Sequence, residues 1–349
     1  MKKIASIISV FILLALFTAC GSDNEQKGAE KAAVNSGKKV SVVATIYPQY
    51  AWLKEILGNR AESMGLTLLI KNGMDLHSYK PSAQDIATIA KADMVVYVGG
   101  ESDEWIEKAL EATPNESRVA VNLMEALGDR VKEEEIVEGM QAEEEEHHHH
   151  DGEEAEAHEH HEHEAHAEEV EHDEHVWLSL KNAEILVNAL AQAAAKLDTA
   201  HASEYKANAA AYIEKIKELD DSYRVTIAGT THKTVLFGDR FPFRYLVDDY
   251  GIKYYAAFVG CSAESEASFE TIAFLAGKMD SDSLPAIFTI EKGNQKIATA
   301  ILAASKNSKK AQILTLNSMQ SVTEQQIAEG ADYLSIMKSN LEVLKNALK

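Results

Sequence analysis

Hydrophobic residues in this chain follow two alternating rhythms. One is a short unbroken apolar run closed by turn residues: Val40 to Ile46 stops at Tyr47-Pro48, and Met94 to Val98 stops at Gly99-Gly100. Runs rich in β-branched residues and bounded by Gly or Pro mark strands buried on both faces. Leu66 to Ile70 and Arg118 to Asn122 are two further candidates. The other rhythm is helical, over Tyr50 to Leu57 and Ser102 to Ala112. Short apolar strands alternating with helices predict parallel β-α-β organisation.

The second half repeats this grammar. Thr234 to Phe237, Tyr254 to Phe258, Ala286 to Ile290 and Gln312 to Leu316 read as strands, and Ser268 to Met279, Gln295 to Ser305 and Glu324 to Leu348 as helices. Between the halves no Gly or Pro occurs from Asp173 until Gly229. Leu186, Leu190, Ala193 and Leu197 keep one helical face; after an interruption near Asp198 to Ser203, a second face runs through Tyr205, Tyr212, Ile216, Leu219 and Tyr223. This reads as one long, slightly broken helical element joining two domains, with a helical hairpin within one domain as the alternative. The expected fold class is α/β: two β-α-β lobes bridged by a long rigid helix, with a cleft between the lobes. Ligands of open α/β sheets sit beyond the carboxyl ends of strands, so the loops after these strands should face that cleft.

The expected boundaries are a signal peptide over 1–20, a tether over 21–39, a first lobe over 40–180, a linking helix over 181–228 and a second lobe over 229–349. Met1-Lys2-Lys3 followed by apolar Ile4 to Phe17 has the charged and hydrophobic parts of a secretory signal. It ends in Phe17-Thr18-Ala19-Cys20-Gly21, which resembles a bacterial lipobox, and makes Cys20 the expected lipidation site. The polar stretch Gly21 to Lys39 suits a tether, so the expected location is extracytoplasmic, anchored to a bacterial membrane by lipid. The only other cysteine is Cys261, so export brings no expectation of an internal disulfide.

Charge is concentrated in one place. The stretch from Glu133 to Glu174 holds 20 acidic residues, 10 histidines and no lysine or arginine, which accounts for 20 of the 22 formal net negative charges. An acidic chain of this kind lacks the basic footprint that nucleic acid requires. Imidazole and carboxylate are the groups that borderline divalent metals accept, which makes His147, His148, His149, His150, His158, His160, His161, His163, His166 and His172 a candidate metal-collecting loop inserted over 133–172. The loop could feed a cleft site or act as an independent store; a merely solvated acidic linker is the plainer alternative.

Outside that loop and its edge, histidine occurs only at His77, His201 and His232. His77 stands in Asp75-Leu76-His77-Ser78-Tyr79-Lys80-Pro81, just after a predicted strand, and His175 in Asp173-Glu174-His175-Val176-Trp177 before the long helix. With the His-rich loop between them, and Phe243-Arg244-Tyr245-Leu246 and Tyr250-Gly251 after them, these segments resemble the zinc- and manganese-binding solute-binding proteins of ABC importers. The resemblance spans about Val40 to Lys349. It implies a class III-like periplasmic binding fold with the metal in the cleft between the lobes. It also implies that the chain is not an enzyme and that its partners are an ABC permease and its ATPase. A monomer is expected.

By motif, His77 and His175 match the family's first two metal ligands. The place of the third holds Arg240, in Arg240-Phe241-Pro242-Phe243-Arg244-Tyr245, and the place of the fourth falls in Leu316-Asn317-Ser318-Met319-Gln320, where no acid occurs. A guanidinium cannot ligate a metal, so other donors must complete the shell. Asp239 and Cys261 come first, since carboxylate and thiolate both suit zinc, and Glu291, Asn317 and Gln320 follow. Cys261 could equally be a small buried hydrophobe. Arg240 is expected to pair with an acid near Asp239, or with Glu264 or Glu266.

The expected ligand is Zn2+, with Mn2+ possible, and the expected function is capture of that metal for delivery to a permease. The alternative is a surface metal-buffering or adhesin lipoprotein that uses mainly the His-rich loop. A zinc hydrolase has no support in the spacing: no H-E-x-x-H or G-x-S-x-G occurs, and Gly99-Gly100-Glu101 lacks the pattern of a phosphate cradle.

Overall fold

The structure, a computed structural model, describes residues 40–141, 171–262, 266–293, 295–306 and 311–349. The expected signal, lipidation site at Cys20 and tether lie outside the described residues, as do all the loop histidines except His172. The described elements belong to one compact unit, Lys39–Lys349.

The first lobe contains β1 (Val42–Ala44), α1 (Tyr47–Leu57), β2 (Thr67–Leu68), α2 (Ala83–Lys91), β3 (Met94–Tyr97), α3 (Glu104–Ala112), β4 (Val119–Asn122) and α4 (Leu123–Leu127). Its strands are all parallel in the order β2-β1-β3-β4. Val42, Val43, Val95 and Val96 are fully buried because helices cover both faces. The turn from β1 into α1 is closed by Gln49, whose side-chain oxygen accepts the backbone N–H groups of Thr45 and Ile46.

Two helices follow, α5 (Leu180–Leu197) and α6 (Ala202–Ala228), and then the second lobe: β5 (Thr234–Phe241), α7 (Arg244–Tyr250), β6 (Lys253–Val259), α8 (Phe269–Ser281), β7 (Ala286–Ile290), α9 (Lys296–Ala304), β8 (Gln312–Leu316), α10 (Glu324–Ala328) and α11 (Tyr333–Ala347). The second sheet is again parallel, in the order β6-β5-β7-β8, so the two lobes share one topology. In both sheets the order reverses beside the first strand, and a crevice opens there at the carboxyl ends.

The stretch over 181–228 differs from one broken rod. The turn Thr199–His201 reverses the chain, and α6 runs back along α5. Lys181 at the start of α5 pairs with Asp249 of α7, while Tyr223 and Asp220 late in α6 meet Tyr250 of that same helix. The bridging is done by α6, which packs on α1 of the first lobe and on α7 and α11 of the second. At 27 residues it spans about 40 Å. The C-terminal stretch likewise divides in two, at Gly330, which takes a φ of 93° before Asp332 caps α11.

The expected 133–172 insertion is described only at its stem. Glu133 bridges His172, and Asp173 N–H donates to the Lys132 carbonyl, so the two stem segments pair antiparallel. Among the described residues no helix is long and apolar enough to cross a membrane.

Candidate metal centre

Two Asp-x-His segments build the inner surface of the cleft. In each, the aspartate accepts the backbone N–H of the histidine two residues on: His77 N to Asp75 Oδ1 at 3.0 Å, His175 N to Asp173 Oδ1 at 2.8 Å. These turns aim both imidazoles at one point, with Nε2 of His77 and Nε2 of His175 3.0 Å apart. Their other nitrogens are tied back. His175 Nδ1 faces the Asp173 carboxylate at 3.0 Å, and His77 Nδ1 faces Ser102 Oγ at 2.8 Å with Glu174 Oε2 at 3.6 Å. An imidazole whose Nδ1–H is held by an acceptor presents its Nε2 lone pair, the form a metal requires.

Burial fixes the charge states. The His175 side chain is fully enclosed, and the loss of solvation, helped by the nearby Arg240 cation, lowers its pKa to about 3. His77 is held well below its ordinary value by burial, by His175 and by Arg240. Burial also raises the carboxyls of Asp173 and Glu174 to about 7. Two glycines make room for this packing. A Cβ on Gly260 would lie 3.0 Å from the His175 ring, and one on Gly100, whose φ is 81°, would lie 2.5 Å from Glu174 Oε1. Gly99-Gly100 is thus a strand-to-helix turn packed on Glu174.

Of the other candidate donors, the structure brings Cys261 and Gln320 to the imidazoles. Cys261 follows β6, and its Sγ lies within 4.8 Å of histidine nitrogens of His77 and His175. Burial first, then the carboxylates of Asp173, Glu134 and Glu174, hold this thiol well above its ordinary range. Gln320 Nε2 stands 2.9 Å from His77 Nε2 and 2.6 Å from His175 Nε2.

Three candidates point elsewhere. Asp239 Oδ1 accepts the N–H of Arg240 at 3.0 Å and Oδ2 that of Ile290 at 3.2 Å, which turns the carboxylate toward the β5–β7 seam. The carboxylate of Glu291 is engaged by backbone N–H groups of Ser318, Gln320 and Ser321, and so shapes the loop that carries Gln320. Asn317 accepts Met319 N–H at 2.8 Å inside that same loop. Among the described residues Arg240 pairs with Asp75 of the opposite lobe and with neither an acid near Asp239 nor Glu266, while Glu264 lies outside the described residues.

Sequence reasoning passed over Glu174, Ser102 and the orienting role of Asp75 and Asp173. The repeated Asp-x-His spacing was the available signal for the aspartates. A cavity of about 820 Å3 runs from His77 and Cys261 past Glu174 to the loop stem at Glu134, Glu171 and His172. Two neutral imidazoles, a thiol and an acidic approach form a donor set that suits a borderline dication such as zinc.

The profile of the family "Zinc-uptake complex component A periplasmic" matches residues 42–347. The chain is 30% identical over 347 residues to the zinc-binding lipoprotein AdcA of Streptococcus pneumoniae, covering 99% of this chain and 61% of that protein. It therefore spans about three fifths of the length of that relative. Against the high-affinity zinc uptake system protein ZnuA of Bacillus subtilis the identity is 29%, over 99% of this chain and 98% of the relative. Among solved structures, Zn(II)-bound AdcA from S. pneumoniae superposes with a TM-score of 0.67 at 27% identity, over 89% of this chain and 58% of that one. The metal-dependent lipoprotein YcdH of B. subtilis gives 0.68 at 25%, over 89% and 100%.

Proposed function

The chain belongs to the zinc-uptake complex component A family, a family of solute-binding transport components, and from that premise we propose that it captures a divalent metal outside the cytoplasm, zinc before manganese, and hands it to an ABC permease driven by its ATPase. The observation that carries this reading is the pair of converging imidazole nitrogens 3.0 Å apart where the two lobes meet. In the proposed complex His77 and His175 ligate zinc through Nε2, and Cys261 supplies a third donor as thiolate. Two imidazoles and a sulfur favour zinc, since manganese prefers oxygen. The chain acts by binding, not turnover. It is held at the membrane by lipid on Cys20 and works as a monomer. The His-rich segment gathers cations for the acidic cavity that leads inward from its stem.

Zinc titration of the full-length protein, read by tryptophan emission with stoichiometry from native mass spectrometry, tests this. The Trp177 ring lies 5.3 Å from that of His175, so with Trp52 and Trp105 replaced by Phe the emission reports the cleft. One tight zinc that disappears in His77→Ala supports the reading. Unchanged cleft binding in that variant refutes the ligand assignment. Zinc uptake with no response from Trp177 leaves the His-rich segment as the metal site, and a buffering or adhesin role as the function.

A further inference from the structure

The position of Gln320 goes beyond a ligand list. Arg240 donates to the Gln320 side chain at 3.2 Å, and Ser318 Oγ lies 3.0 Å from the same atom. A guanidinium has donors only, so the amide atom that faces it is the oxygen. The NH2 group is thereby turned toward the histidines, 2.9 Å and 2.6 Å from their Nε2 atoms. In the tautomer a metal requires, with the Nδ1–H of His175 on the Asp173 carboxylate and that of His77 on the Ser102 hydroxyl, both Nε2 atoms carry lone pairs. Two lone pairs 3.0 Å apart repel unless positive charge lies between them, and the amide hydrogens supply it.

We infer that Gln320 is a built-in competitor of the metal: Arg240 locks its carboxamide so that the NH2 group fills the point between the imidazoles that a cation must take. This rests on the metal-binding reading and deepens it. A cation needs the same two lone pairs, so it binds only by displacing the amide. Gln320 could become a ligand through its oxygen only if the amide turned over, and that would set NH2 against the Arg240 guanidinium, donor facing donor. Asp75 of the first lobe holds Arg240 in place, so the competitor is anchored across the cleft. The displacement lowers every ion's affinity alike. Ions that gain little from imidazole therefore fall out of the working range, while zinc remains in it.

The test is a chelator-buffered Zn2+ titration of the full-length protein, followed by tryptophan emission, in wild type, Gln320→Ala, Arg240→Met and the double variant. Gln320→Ala is expected to tighten zinc about tenfold, although it adds no ligand, and Arg240→Met to tighten it by a similar factor. In the Gln320→Ala background, Arg240→Met should add less than about threefold, because its effect runs through the amide. Weaker zinc binding in Gln320→Ala would make Gln320 a ligand and overturn the inference, as would unchanged affinity in both single variants. Full additivity in the double variant would also overturn it, by assigning the effect of Arg240 to charge alone. Thermal melting gives a second reading: Gln320→Ala should lower the midpoint of the zinc-free protein more than that of the zinc-loaded one, and equal shifts would count against the inference. If His77→Ala binds zinc as wild type does, the metal-site reading itself fails, whatever Gln320 does.

Discussion

The two lobes have the same strand order and opposite chemistry. After its second strand the first lobe carries His77, and the second lobe carries Cys261 at the corresponding place after β6. The first strand β1 leads into an apolar turn and α1, whereas β5 carries Arg240 in its last turn of extended chain. After the third strands come Asp103 and Glu291, at the end of β4 comes Asn122, and after β8 comes the loop with Gln320. Of these, His77, Cys261, Arg240 and Gln320 meet at one cleft. The first lobe then supplies metal-binding groups together with His175, while the second supplies a cation, an amide and a protonated thiol. Where a site lies is a property of the fold; what it binds is decided by side chains the fold does not dictate.

The largest effect should come from the first lobe. His175→Ala or His77→Ala is expected to weaken zinc about a thousandfold, or ~4 kcal/mol, in the fluorescence titration. Cys261 stands at the matching position of the second lobe, and an equal loss on its substitution would erase the proposed difference between lobes.

Next is the joint between them. The Asp75 and Arg240 side chains are 21% and 13% exposed, so each depends on the other for charge balance. Asp75→Ala leaves a guanidinium in the cleft without its carboxylate, and should cost about 3 kcal/mol in urea unfolding of the zinc-free protein. Arg240→Met removes the charge itself and should cost less, about 1 kcal/mol. The reverse order would mean that the pair does not hold the lobes together.

The fold was largely legible because buried parallel strands leave continuous apolar runs: all eight predicted strands coincide with observed ones, with β5 and β6 extended at their ends. The helix α2 was missed although Ser82 and Asp85 form a capping box at its start, since its apolar face is short. The reversal at Thr199–His201 was harder to read, because no Gly or Pro marks it. At the site, the histidines stand out as rare residues in Asp-x-His turns. The Arg240–Asp75 pair and the Gln320 contact join residues 165 and 80 positions apart, and nothing local in the chain announces them.

A smaller effect separates the carboxyls after the third strands. Asp103 is fully buried and its Oδ1 lacks a hydrogen-bond partner among the described residues, so burial raises its pKa to about 7. Because this folded value exceeds the ordinary 3.8, the stability it contributes is complete below about pH 4 and is lost as pH rises through 7. Asp103→Asn should therefore gain roughly 2 kcal/mol on wild type between pH 4 and pH 8. Glu291 is also raised by burial, but backbone N–H groups of Ser318, Gln320 and Ser321 point at it. Glu291→Gln places an NH2 group among donors and should lose about 1–2 kcal/mol at pH 8. Denaturant titration at the two pH values reads both, and matching signs would refute the contrast.

A modest effect on zinc affinity is the most informative about the second lobe. Cys261 Sγ lies within 4.8 Å of the histidine nitrogens, but its thiol is kept protonated by burial and by three surrounding carboxylates, and only the thiolate binds zinc. Ionising it offsets much of what a zinc–sulfur bond contributes, whereas the imidazoles are already neutral and need no such step. Cys261→Ser should therefore weaken zinc only about tenfold, ~1.4 kcal/mol, against the thousandfold expected at His77. In the wild-type protein, alkylation of Cys261 should be slow without metal and slower still once zinc is bound, because coordination shields Sγ. If zinc leaves the alkylation rate unchanged, the sulfur is a small buried neighbour of the site, and the shell closes through the first lobe with water.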